Sequence, residues 1–184
     1  MHPDKLPDVL HPARFAKARL DIAGSFPQSR LLRLAELVGL QSDVDVELSF
    51  AETHFNRISV LGQLRCTVRL TCQRCLDEFD YILDAQVKLL VTTDEKDLAQ
   101  AESEDFEALQ VDADGSVTTV RLIEDELIVR LPIFPAHETL AACNADMLVR
   151  LRADLSTEPA VDKPVGSRPN PFAVLQSLKS PSEK

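Results

Sequence analysis

Apolar and polar residues alternate with a period of two over three stretches of the chain. Val44, Val46, Leu48 and Phe50 interleave with Asp43, Asp45, Glu47 and Ser49, the pattern of a strand with one face on a core and the other in water. Leu64, Cys66, Val68 and Leu70 interleave with Gln63, Arg65, Thr67 and Arg69. Beyond Cys72-Gln73-Arg74-Cys75 the alternation resumes through Phe79, Tyr81, Leu83, Ala85, Val87 and Leu89. The last two runs flank a short polar connection, which predicts a long antiparallel hairpin with the cysteine pair at its tip.

Helical spacing appears on either side of these strands. Between Gln28 and Val38, Leu31, Leu34, Leu37 and Val38 share a face, Arg30, Arg33 and Glu36 look away, and Gly39 is placed to end the helix. From Thr118 to Leu131, Val120, Ile123, Leu127 and Leu131 share a face, and Pro132 stops it. A shorter helix is predicted from Pro12 to Leu20, with Pro12 at its first position. Asp112-Ala113-Asp114-Gly115 reads as a turn. The expected fold class is α+β, an antiparallel β-sheet with a long CxxC-tipped hairpin packed by two or three helices. Residues 1–155 are expected to form the main domain.

Four prolines and no periodicity mark residues 156–171 as a linker. A capped segment follows, with Asn170 as cap, Pro171 at the first position, and Phe172, Leu175 and Leu178 on one apolar edge. So short a helix is not stable alone and must dock, either on its own domain or in a partner groove. Residues 156–184 are therefore expected to be a proline-rich linker and docking segment. Arg168, Asn170, Pro171, Phe172, Leu175 and Leu178 are its candidate partner-binding residues.

Composition narrows the function. The formal charge of −10 argues against tight nonspecific adhesion to RNA, which needs clustered Lys and Arg to neutralise phosphates. Residues 1–40 and 161–184 nevertheless carry +2 each, leaving −14 for the stretch between. An acidic body with mildly basic arms suits a basic ribosomal protein, or RNA touched only through the arms, and equally a solvated acidic surface that does no more than keep the protein soluble. Tyr81 is the only Tyr and there is no Trp, so a stacking platform for single-stranded nucleic acid is not expected. Seven acids against Lys96 make residues 94–107 an exposed acidic loop or weak helix. No apolar run reaches the ~20 residues of a membrane helix, and the first residues lack a signal peptide's order, so a cytoplasmic protein without membrane contact is expected.

Candidate chemistry centres on the cysteines. In a reducing compartment four cysteines are thiols or metal ligands before they are disulfides. A turn carrying Cys72 and Cys75 presents two thiolates along one edge of a tetrahedron, as in a zinc knuckle, and the later candidates for the remaining ligands are His137 and Cys143. One structural zinc on Cys72, Cys75, His137 and Cys143 is one reading. Free thiols at a turn, with no cofactor, is another. A redox dithiol is a third, against the context of thioredoxin-like motifs, which open a helix in a βαβ unit. Glu124-Asp125-Glu126 point in different directions on a helix and are expected to be solvated, with one pairing to an Arg. No phosphate loop, nucleophile elbow or HExxH motif is present, so no catalytic residues are assigned.

In order and spacing, several segments together resemble the YceD family, the large-ribosomal-RNA-subunit accumulation proteins. They are Leu10-His11-Pro12-Ala13-Arg14 with Arg19-Leu20-Asp21, the Cys72-Gln73-Arg74-Cys75 tip with Phe79, Glu124-Asp125-Glu126-Leu127-Ile128 leading into Leu131-Pro132-Ile133-Phe134-Pro135-Ala136-His137, and Arg168-Pro169-Asn170-Pro171-Phe172-Ala173-Val174-Leu175. The resemblance implies a role in synthesis, processing or stability of 23S ribosomal RNA, no enzymatic activity, and a link to a large-subunit ribosomal protein or pre-ribosomal particle. Some relatives carry additional cysteines just after the proline-flanked stretch, where this chain has only His137 and Cys143. A zinc-binding adaptor and a thiol redox protein are the alternatives.

Overall fold

The computed structural model describes residues 6–53, 57–92 and 106–156. The chain divides into two compact units, Met1–Cys143 and Asn144–Lys184. In the second, the described structure is one helix, Ala145–Ser156, whose first turn is capped by Asn144 Oδ1 accepting the Met147 N–H at 3.2 Å. The first unit carries the sheet and the candidate site, and its described elements are as follows.

Strands β1 (Val9–Leu10) and β2 (Asp21–Phe26) flank helix α1 (Pro12–Ala18). A 3₁₀ turn (Gln28–Arg30) and helix α2 (Leu32–Leu37) lead into β3 (Gly39–Leu40) and the long strands β4 (Val44–Glu52), β5 (Ile58–Thr71) and β6 (Glu78–Thr92). Then come β7 (Glu107–Gln110), β8 (Val117–Thr118), helix α3 (Thr119–Val129) and a 3₁₀ turn (Leu140–Ala142). The sheet order is β2-β4-β5-β6-β7, with β3 also beside β5 and β1 paired separately with β8. All pairings are antiparallel except that of β6 with β7, so the α+β class with a mostly antiparallel sheet is as expected.

The period-two pattern decides which face is buried. Val44, Val46, Leu48 and Phe50 of β4 face the core, with Leu64, Val68 and Leu83 beside them. The intervening charged residues stay in water. Phe15 of α1 meets Phe50 edge-on at 5.2 Å, and Leu122, Ile123 and Leu127 of α3 join the same core. Each such side chain contributes ~1.5–3 kcal/mol by leaving water. At the end of α1, Arg19 takes a left-handed conformation and its N–H closes on Ala16 and Phe15 carbonyls. The Asp112–Gly115 turn forms as expected, with Gly115 at φ +76 and the Asp112 N–H donating to Ser116 O at 2.8 Å.

Four expectations need correction. The helix read over 28–38 is a 3₁₀ turn followed by six residues of α2. Leu31 and Leu34 are buried as the spacing requires, but Leu37 is 59 % exposed. Gly39 does not cap the helix; it begins β3, pairing with Arg69 of β5, so a tertiary strand contact ends α2. The acids on α3 are not uniformly solvated. Glu124 and Glu126 are buried, and only Asp125 behaves as expected, pairing with Arg33 at 2.6 Å. Glu124 Oε1 accepts the backbone N–H groups of Arg33 at 2.7 Å and Leu34 at 3.3 Å, capping α2 from a neighbouring helix. Of the acidic stretch 94–107, Glu107 is not in a loop: it opens β7 and accepts a hydrogen bond from Arg130 at 2.8 Å. Residues 93–105 lie outside the described residues.

Candidate metal centre

Strands β5 and β6 pair from Ser59 with Leu90 out to Thr71 with Glu78, and Cys72-Gln73-Arg74-Cys75 lies in the connection between them. The connection is closed by the Cys72 N–H donating to Asp77 O at 2.9 Å and the Leu76 N–H donating to Cys72 O at 2.8 Å. Leu76 takes φ +63, the left-handed region that favours glycine. This tight loop turns both cysteine sulfurs inward, where Cys72 and Cys75 are fully buried.

The second half of the cluster comes from the chain after α3. The two residues between the cysteines hold that segment in place. The Gln73 N–H donates to Pro135 O at 2.9 Å, and the Arg74 guanidinium donates to the His137 carbonyl. Phe79, at the start of β6, lies against the His137 ring with centroids 4.7 Å apart. The 3₁₀ turn then brings Cys143 back, with its N–H on Leu140 O at 3.2 Å.

These constraints bring Cys72, Cys75, His137 and Cys143 together, with one ligand atom from each lying within 4.8 Å of all the others. Cys72 Sγ and Cys143 Sγ are 4.0 Å apart. His137 Nδ1 lies 3.6 Å from Cys75 Sγ and 3.7 Å from Cys143 Sγ. A tetrahedral zinc with Zn–S near 2.3 Å and Zn–N near 2.05 Å separates its ligand atoms by about 3.6–3.8 Å. The donor set and its spacing therefore fit zinc, and all four positions are filled by protein. A closed set of this kind is structural, with no open position for a substrate.

The electrostatics favour thiolate at Cys72. Burial alone would raise the Cys72 thiol, but the N–H groups of His137, Arg74 and Cys75 aimed at its sulfur outweigh burial and hold it well below the ordinary thiol range. Cys143 is pushed upward, by burial first and then by the sulfurs of Cys75 and Cys72 beside it. A cation among the sulfurs removes that conflict by replacing the protons.

The four residues named from sequence thus converge. Arg168, Asn170, Pro171, Phe172, Leu175 and Leu178 lie outside the described residues. Sequence reasoning missed Gln73, Arg74 and Phe79 as residues that position the ligands. Their only signal was their place within and just after the cysteine pair. Cys66, whose thiol is pushed up to about 11 by burial and then by Asp45, belongs to the core and not to this cluster.

The profile described as "Large ribosomal RNA subunit accumulation protein YceD" matches residues 60–179. A Haemophilus influenzae protein of the same name is similar at 32 % identity over 176 residues, covering 95 % of this chain and 97 % of the relative. No solved structure matches the chain.

Proposed function

The chain belongs to the YceD family of large ribosomal RNA subunit accumulation proteins, and from that premise we propose that it is a non-enzymatic factor supporting synthesis, processing or stability of 23S ribosomal RNA and assembly of the large subunit. The observation that carries this reading is the near end-to-end match to a relative of that name. The setting is the cytoplasm and the partner a large-subunit protein or pre-ribosomal particle, with contact to RNA indirect. The acidic balance of the chain supports a protein contact over bare RNA. Deleting the gene should lower the ratio of 23S to 16S RNA and shift gradient profiles away from mature large subunits. Unchanged RNA and subunit ratios would remove the proposal.

Within this reading, Cys72, Cys75, His137 and Cys143 hold one structural zinc that ties the hairpin connection to the segment after α3. When bound, the ion supplies a crosslink between the two segments. Purified protein should contain one zinc per chain, and cobalt substitution should give the intense sulfur-to-metal absorption of a thiolate site. A metal-free preparation that does not take up cobalt would refute it. A dithiol redox centre has less support, because a third sulfur and an imidazole converge on the same point. The segment from Arg168 onward is proposed as a partner contact, tested by affinity capture, with and without nuclease, of full-length protein against a chain ending before Arg168.

A further inference from the structure

Beside the cluster, on the side facing α2, lies an open groove of about 660 Å³. Its apolar lining comes from Leu37, Val38, Leu70, Leu76, Leu131 and Pro135. Leu37 and Leu76 are each 59 % exposed, and Ile133 and Phe134, next along the chain from Pro132 in the lining, are 83 % and 78 % exposed. Large apolar side chains gathered around a concavity with a polar rim mark a contact surface.

Leu76 strengthens the case. It sits at φ +63, where a side chain is strained, and its apolar side chain lies in water. Glycine would remove both costs, and the presence of leucine instead points to a use for that side chain. The rim defines the occupant. Glu36 and Glu78 are exposed, and their carboxylates carry no hydrogen bond or ion pair among the described residues. Arg69, the basic residue of the lining, is already held by Asp80 at 2.8 Å.

We propose that this groove docks a short segment of a partner protein that presents large apolar anchors flanked by lysine or arginine. An RNA strand would bring phosphates against two unpaired acids, and a second copy would bring another acidic chain. The choice of ribosomal partners rests on the family reading above; the preference for an apolar, basic segment does not.

The test is an array of overlapping peptides tiling the proteins of the large ribosomal subunit, probed with labelled full-length protein. The strongest binders should combine a surplus of Lys and Arg with at least two large apolar side chains. By anisotropy, their binding should weaken with salt and fall at least about tenfold for Leu76→Gly and for Glu36→Lys with Glu78→Lys. Leu76→Gly should melt no lower than the parent, since glycine relieves the left-handed strain, so lost binding is separated from lost folding. The proposal is overturned if the array binds nothing, if acidic or purely polar peptides bind best, or if Leu76→Gly binds as well as the parent. A dimer in sedimentation that Leu76→Gly disperses would assign the groove to a second copy and also overturn it. If deletion leaves ribosomal RNA unchanged, the proposed ribosomal function fails, and a random-sequence peptide display then tests the groove's preference independently.

Discussion

Replacing Glu124 by Ala should cost the first unit a large part of its stability, because one carboxylate oxygen satisfies two backbone donors of another helix. The Arg33 N–H reaches it at 2.7 Å and the Leu34 N–H at 3.3 Å, with Leu34 wholly buried. A hydrogen bond to a charged acceptor is worth ~1.5–3 kcal/mol, the longer contact less, and a buried donor left without a partner costs ~1–3 kcal/mol. Against this stands the relief of no longer burying a carboxylate that is only 4 % exposed. The net expectation for Glu124→Ala is ~3 kcal/mol of destabilisation. Glu124→Gln keeps an oxygen of the same reach and loses only the charge at the helix N-terminus, so ~1 kcal/mol is expected. With a urea slope of ~2 kcal/mol/M for a body of this size, the alanine variant should lose ~1.5 M in midpoint and the glutamine variant about a third of that. Equal midpoints for Glu124→Ala and the parent, within ~0.5 kcal/mol, would falsify the capping role.

Other consequences are as specific. A Cβ on Gly62 would sit 1.9 Å from Glu47 O and 2.9 Å from Leu48 Cδ2, so β4 and β5 must part; Gly62→Ala should cost ~3 kcal/mol or more, read as a lower thermal midpoint. Glu126 is held neutral up to about pH 7, by burial first and then by Glu107, against an ordinary value of 4.5, and its Oε2 has no hydrogen-bond partner among the described residues. The folded state then binds the extra proton, so stability falls as pH rises from about 4.5 to about 7. Glu126→Gln should therefore gain ~1–3 kcal/mol at pH 8 and little at pH 4.5, with equal gains at both pH values contradicting the assignment. Chelating the metal from zinc-loaded protein should release protection against hydrogen exchange in residues 132–143 while the strand amides of β4 to β6 stay protected. Global unfolding on chelation would show that the core depends on the metal.

What could be read from the sequence was set by how local each determinant is. Strands β4, β5 and β6 were readable because each is long and keeps one face in water. β2 was not, since Ala23-Gly24-Ser25 leaves only Ile22 and Phe26 to mark the buried face. The spacing of Leu31 and Leu34 correctly marked buried positions, but nothing local announces that Gly39 will be drawn into β3. The two buried acids of α3 were misread for the same reason, because the N-terminus that Glu124 caps lies about ninety residues earlier in the chain. Four cysteines and four histidines leave few combinations, which is why the ligand set could be named. Its convergence depends on the Gln73 N–H and the Arg74 guanidinium reaching carbonyls of the segment after α3, contacts that the sequence does not display.

The cluster and the groove are not independent surfaces. Cys72, Gln73, Leu76 and Pro135 line the groove, while Cys72 also belongs to the four-residue cluster proposed to hold zinc and the Gln73 N–H donates to Pro135 O. A zinc crosslink from Cys72 and Cys75 to His137 and Cys143, as proposed, would therefore fix the distance between two walls of the groove, the hairpin connection and the stretch that follows α3. The apolar core cluster does not include these four residues, so losing the proposed crosslink should leave the sheet its own stability and remove the shape of the contact surface. Metal occupancy should then change affinity for a docked peptide far more than it changes the melting of the sheet. A groove whose peptide affinity is the same with and without metal would mean that Gln73 and Arg74 alone hold the two walls.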